Sequence, residues 1–393
     1  MKKIINNKIM MFIIILLFFK PICLQYFSNL SIIENLFVYG KILVAILIVF
    51  DTLLESYPKV KVNPYLIMIF LFEFWIFGIT LIKEGAIFRS FIDFITIFVL
   101  CLAIIKFIKG NKEKSILIIK RAFLTLVFFQ LCSQILWPTG MPADLYYNNE
   151  LNPLFFVTLD NGTTGLTCIT LCVIFISKNI VKQTKKNIII NNLEVLLCII
   201  TAILSGSTTA MICTGLLFIY IVFSKLKFLK ILDKWWIWLS IYILVNYLLI
   251  SNNSLVSEII YLITGKSGYT GRNYLWSTAI SLINSSPLIG YGRLSLGYLE
   301  VWGGHYSSHN ILLEMMLQGG WICFILWMGV IIYSMNHLKE IENYNTRRVL
   351  LGTVFMILIG LTMESNVHSE YLFLCLTIIY TFSKKGVGNE RIN

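Results

Sequence analysis

What this sequence most lacks is charge. Of its 393 residues, 13% are ionic, against about 25% in an ordinary soluble domain. Acids are the scarcer sign, 20 Asp and Glu against 32 Lys and Arg. So few charges cannot cover a globule of this size in water, which excludes a soluble enzyme. Apolar residues make up 58% of the chain, with a mean hydropathy of +0.80, which excludes disorder. Polar-loop cysteine is missing too. Cys23, Cys101, Cys132, Cys168, Cys172, Cys198, Cys213, Cys323 and Cys375 all fall inside apolar runs, so no disulfide framework of a secreted scaffold is implied. Cys168 and Cys172, one helical turn apart, read as small buried residues. A metal set is also lacking: His305 and His309 stand four apart without a clear third or fourth ligand. Neither metal nor cofactor is expected.

What the chain has is apolar runs of about 20 residues from end to end, each long enough to cross a hydrocarbon core as a helix. They predict an all-α, polytopic membrane protein, a single integral membrane domain over residues 1–393. Twelve transmembrane helices are expected near 9–27, 36–53, 64–82, 89–108, 116–136, 154–177, 188–204, 208–224, 234–250, 309–335, 348–363 and 368–383. The first run ends in Lys20-Pro21 with no small-residue cleavage site, so it reads as a retained helix.

The net charge of +12 would suggest nucleic acid in a soluble protein. Here the cations sort by side, and no nucleic-acid partner is expected. With the N-terminus inside, 25 of the 32 Lys and Arg fall in cytoplasmic segments and six (Lys41, Lys83, Arg89, Lys266, Arg272, Arg293) in outer ones. That bias follows the positive-inside rule and puts both termini in the cytoplasm. No motif repeats between the two halves, so the inverted-repeat sign of many transporters is not evident.

Residues 251–308 form the longest hydrophilic stretch, a large extracytoplasmic loop between spans nine and ten. Long loops in compact proteins are usually functional. Within it, 272–285 reads as a short surface helix, apolar at Leu275, Trp276, Ala279, Ile280, Leu282 and Ile283 and ended by Pro287. The glycine-punctuated turn Pro287-Leu288-Ile289-Gly290-Tyr291-Gly292-Arg293 follows.

The outer cations Arg272, Arg293 and Lys266 fit phosphate oxygens at the outer leaflet, the arginines bidentately. Lipid headgroups or surface ion pairs are the other reading. His309 opens the tenth span at the interface, where a residue able to take a proton from a sugar hydroxyl near neutral pH would stand. His305 lies in the same loop. Tyr269, Tyr274, Trp276, Tyr291, Tyr298, Trp302 and Tyr306 would stack on sugars or form an interfacial belt. Asp93, Asp160, Glu314, Glu364 and Glu370 map to the outer ends of spans, and their shared side is informative. Glu73, in mid-span, reads as a buried structural acid with an unassigned partner.

Gly271-Arg272-Asn273-Tyr274-Leu275-Trp276, then Pro287-Leu288-Ile289-Gly290-Tyr291-Gly292, then His309-Asn310-Ile311-Leu312-Leu313-Glu314 with Gly319-Gly320, resembles the O-antigen ligase and polymerase superfamily. The resemblance covers about 50 residues in order, with a similar span layout. It implies a metal-independent, inverting glycosyltransferase working outside the bacterial cytoplasmic membrane on undecaprenyl-pyrophosphate-linked oligosaccharide. Membrane lipid would surround it, and a chain-length regulator and a flippase of the same pathway would be its partners. By that analogy Arg272 and His309 are catalytic. Arg272, Arg293, His305, Trp276, Tyr291, Glu314 and Asn310 bind pyrophosphate or glycan. Ligases of the family often carry a Ser-Gly-Ser-Arg turn between spans seven and eight; here Ser205-Gly206-Ser207 is followed by Thr208, with Arg293 or Arg89 as candidate replacements. Polymerisation of repeat units for a capsule, exopolysaccharide or O-antigen leads, ahead of ligation to another acceptor and ahead of a flippase.

Overall fold

Apolar stretches become helices here because a chain in hydrocarbon must satisfy its backbone hydrogen bonds internally. Asn, Ser and Thr mark where they start. Asn63, Asn111, Thr184, Ser207, Asn310, Asn343 and Ser369 each accept, through a side-chain oxygen, a backbone N–H of the first turn, which satisfies an otherwise orphaned donor. The computed structural model describes residues 8–56, 63–145, 153–223, 226–251, 258, 272–293, 307–364 and 366–383.

The α-helices among these are α1 Lys8–Phe18, α2 Ser31–Ser56, α3 Pro64–Ile82, α4 Ile87–Gly110, α5 Lys112–Leu136, α6 Thr163–Ile180, α7 Lys185–Leu204, α8 Thr208–Val222, α9 Trp235–Ile250, α10 Arg272–Ser285, α11 Ile311–Leu338, α12 Tyr344–Gly360 and α13 Glu370–Phe382. Among the described residues the fold is all-helical, with one isolated bridge pairing Leu154 and Leu159. Eight described helical stretches are long and apolar enough to cross a membrane; Lys8–Phe18, Thr208–Val222, Trp235–Ile250 and Glu370–Phe382 are apolar but shorter. This is a multi-pass membrane protein.

Two expected spans are interrupted. The helix expected over 9–27 stops at Phe18, because Pro21 cannot continue it and the chain passes into a 3-10 turn at Ile22–Gln25. The helix expected from residue 154 begins only at Thr163. Residues 154–157 pair instead with neighbouring loops: Val157 and Phe156 accept from the amides of Ile22 and Cys23, and Leu154 accepts from Met141.

The helices α6, α12 and α13 form the centre, buried along nearly their whole length. Around them, α2 and α7 turn rows of large apolar side chains outward, Leu43, Ile46, Phe50 and Leu53 on one and Ile189, Leu193, Leu196 and Ile203 on the other. Such rows would drive aggregation in water and match lipid tails instead. The described parts of the connections near residues 20–30, 83–89, 137–145, 153–162, 205–208, 286–293, 361–364 and 366–370, all expected on the outer side, collect at one end of the bundle. There they join through contacts such as Ala86 with Arg293 and Ser207 with Asn161.

Candidate functional site

The helix α10 covers the residues expected for it and lies against this end. It buries Trp276, Ala279, Leu282 and Ile283 against Leu249, Leu313 and Leu317, while Ile280 faces outward. The indole of Trp276, 1% exposed, donates to the carbonyl of Ser308 at 3.0 Å. That bond pins the first turn of α10 to the segment preceding α11. One turn earlier on the same helix face, the Arg272 guanidinium donates to Met363 Sδ at 3.3 Å.

Two carboxylates, Glu364 and Asp160, face Arg272. Burial lowers the pKa of the guanidinium, and the attraction of both carboxylates opposes the shift. Burial raises Glu364, and the like charge of Asp160 adds to this. Arg272 and a hydrogen bond from Asn161 pull the other way, leaving it at about 7. The Asn161 side-chain oxygen accepts from Ser207 at 2.8 Å. The Ser205-Gly206-Ser207 turn is therefore part of this site, although Thr208 brings no charge to it.

His309 is held from both sides. Its φ of +50° lies in the left-handed region, which costs a non-glycine residue of order 1–3 kcal/mol and persists only where the surroundings enforce it. Here they do. Glu314 Oε2 accepts from the Ser308 amide at 2.9 Å and from its hydroxyl at 3.0 Å, and Gln318 donates to Glu314 Oε1 at 3.1 Å. The His309 amide donates to Ser307 Oγ at 3.0 Å. On the other side, Asn310 caps α11 through its oxygen and donates through its amide to Asn246 and to the carbonyl of Thr362. Ser308 and Asn310 are fully buried, and His309 between them is half-buried. Trp276, Glu314 and Asn310 thus each make polar contacts with the backbone around His309.

The glycine turn has a structural place. The helix α11 breaks at Gly320 (φ +65°), and the turn after α10 splices into the break. Leu317 and Gln318 carbonyls accept from the amides of Tyr291 and Gly292, while the amides of Trp321 and Ile322 donate to the carbonyls of Pro287 and Leu288. A break in a membrane helix leaves backbone groups that must be satisfied by protein, and this turn supplies them. No side chain fits at the crossing: a Cβ on Gly290 would meet the Leu317 oxygen at 2.5 Å, and one on Gly320 would overlap the Leu288 backbone. Tyr291 braces the turn, its hydroxyl donating to Leu282 O at 3.1 Å.

Arg293 belongs to a second charged group. It pairs with Asp93, and its amide donates to Thr80 Oγ1 on α3. Arg89 is beside that pair. Glu73 receives a partner that spacing did not suggest, His368, with Nδ1 2.8 Å from its carboxylate. His305, Lys266, Tyr269, Tyr298, Trp302 and Tyr306 lie outside the described residues.

The site thus joins the first turn of α10, the start of α11 and the Ser205–Ser207 turn. Residues 193–328, which hold all three, match the family model described as O-antigen ligase. That segment is similar to the O-antigen ligase family. The match supports the O-antigen ligase and polymerase superfamily for this chain and covers about a third of it. No curated protein matches the sequence. Within the matched segment, the family-like motifs fall into two groups. The Gly290/Gly292 turn and Gly319-Gly320 build one splice, while the Arg272 and His309 segments meet the loop carrying Glu364.

Proposed function

We propose that the protein is a polysaccharide polymerase at the outer face of a bacterial cytoplasmic membrane. It moves a growing glycan from undecaprenyl pyrophosphate to the non-reducing end of the next lipid-linked repeat unit. The observation that carries this reading is the setting of Arg272. A partly buried guanidinium is held on an anchored helix, facing carboxylates that an incoming polyanion would replace, at the same end of the bundle as the clamped His309.

In this reading Arg272 binds the donor pyrophosphate. The acceptor hydroxyl attacks the anomeric carbon from the face opposite the leaving group. A new C–O bond forms as the bond to pyrophosphate breaks, and the electron pair leaves with the pyrophosphate beside Arg272. The hydroxyl proton passes to His309. Fixed donors aimed at the departing charge stabilise the transition state without reorganising.

The test uses purified protein in nanodiscs, given cognate lipid-linked repeat units with EDTA present. A product ladder spaced by one repeat is expected, and it should vanish in His309→Ala and Arg272→Ala while the protein stays folded. Ladders of normal length from both variants would overturn the site assignment.

Ligation of a finished chain to a different acceptor is the second reading, favoured by the description of the matched family. Thr208, standing where many ligases carry arginine, disfavours it. Release of polyprenyl pyrophosphate only when a different acceptor is added would decide for ligation.

A further inference from the structure

Glu364, which faces Arg272, also lines a cavity of about 290 Å³. It opens between the end of α1, the start of α6, the end of α12 and the start of α13. Its polar lining includes Lys20, Asn161, Thr164, Glu364, Asn366 and Glu370. The volume is at the lower end of the range for small-molecule pockets, too small for a lipid chain with its headgroup.

The sign of the lining charge decides what enters. Two carboxylates face the cavity. Its one cation, Lys20, is already paired with Glu34 at 2.6 Å. No cation lining the cavity is left over to hold a pyrophosphate, which Arg272 would hold instead. Hydroxyl groups are suited to this lining, because carboxylates accept from them and amides both donate and accept.

One lining group asks for a ligand. Thr164 is 4% exposed, and its hydroxyl has no hydrogen-bond partner among the described residues. A buried hydroxyl left unpaired costs free energy that a ligand hydroxyl would return.

We propose that this cavity is the acceptor subsite, holding one uncharged sugar of the incoming repeat unit with Thr164 and Asn366 among its contacts. The assignment to the acceptor rests on the reading of Arg272 as the donor-phosphate site. The cavity as a sugar site stands on its own lining.

The test uses full-length protein in nanodiscs and the oligosaccharide freed by mild acid from the lipid-linked pool of the producing cells. Saturation-transfer NMR measures its binding, and initial rates give acceptor KM, donor KM and kcat. Thr164→Val keeps the side chain's shape and removes the hydroxyl. Asn366→Trp fills the mouth from an exposed loop position. Binding should weaken about fivefold in the first and be lost in the second. Acceptor KM should rise in parallel, with donor KM unchanged and thermal melting no lower in Thr164→Val.

Wild-type binding of the oligosaccharide that neither variant changes would overturn the subsite, as would no wild-type binding at all. If the oligosaccharide binds and the variants weaken it, but no glycan is transferred, the cavity holds and the polymerase reading fails. A ladder with unchanged acceptor KM in both variants would keep the polymerase reading and overturn the acceptor subsite.

Discussion

The side-chain amide of Asn310 donates to the carbonyl of Thr362 at 3.2 Å, tying the residue after His309 to the loop that carries Glu364. The same side chain caps α11, so a single asparagine sets both the start of the helix and its distance from α12. Replacing Asn310 with Ala should cost about 1–3 kcal/mol of stability through the lost cap and the unpaired partners. It should also lower kcat about tenfold or more while changing donor KM little, because His309 would be released rather than the phosphate site. Melting curves and initial rates check both.

Arg272→Lys keeps the charge and removes the planar fork. If the guanidinium grips phosphate through two parallel bonds, turnover should fall on the order of 10²-fold with the protein still folded. Activity within about twofold of wild type would reduce Arg272 to a point charge.

Glu364 supplies a pH dependence. Its carboxyl is held near 7 against an ordinary value of 4.5. Above pH 7 it is anionic and competes with pyrophosphate for Arg272; below pH 7 it is neutral and leaves the guanidinium to the donor. Donor KM should therefore rise about five- to tenfold from pH 6 to pH 8, and Glu364→Gln should flatten that rise. The stability contribution has the same origin. Between 4.5 and about 7 the folded state keeps a proton the unfolded chain has released, so this group's contribution to stability declines as pH rises across that window. Melting temperature against pH for wild type and Glu364→Gln reads it directly.

The splice at Gly320 should tolerate no side chain. Gly320→Ala meets both a left-handed backbone and the Leu288 backbone, and should cost about 2–4 kcal/mol or prevent folding. Gly78→Ala is the control. It lies within α3 with nothing within 4 Å of the new methyl, and should be neutral or slightly stabilising. Yield of folded protein and thermal melting separate the two.

Glu73 and His368 form a buried pair between α3 and the start of α13. Removing one partner strands the other, so Glu73→Leu should destabilise by about 3–5 kcal/mol, and adding His368→Phe should recover much of the loss. A double-mutant cycle on melting free energies measures the coupling.

The sequence alone determined the class and much of the local structure. Runs of apolar residues can only be helices in lipid, so α3 to α5 and α7 to α13 lie close to where composition puts them. The surface helix over 272–285 was legible too, because its apolar positions and the following proline are local signals. Arg272 and His309 could be singled out because they are rare residue types on a side that has few like them.

Only the tertiary structure decided how these residues meet. Long-range pairing carries no period along the chain. Nothing near Glu73 announces His368, and nothing near Arg272 announces Asp160 or Glu364. The partner of the glycine turn, the break in α11, lies some 30 residues further on. Nothing near Arg293 announces Asp93, with which it pairs. Trp276, Glu314 and Asn310 stood out as ligands in the sequence, and the fold sets them around His309. Local chemistry names which side chains are able to act. Closing the bundle determines which of them are occupied holding others in place.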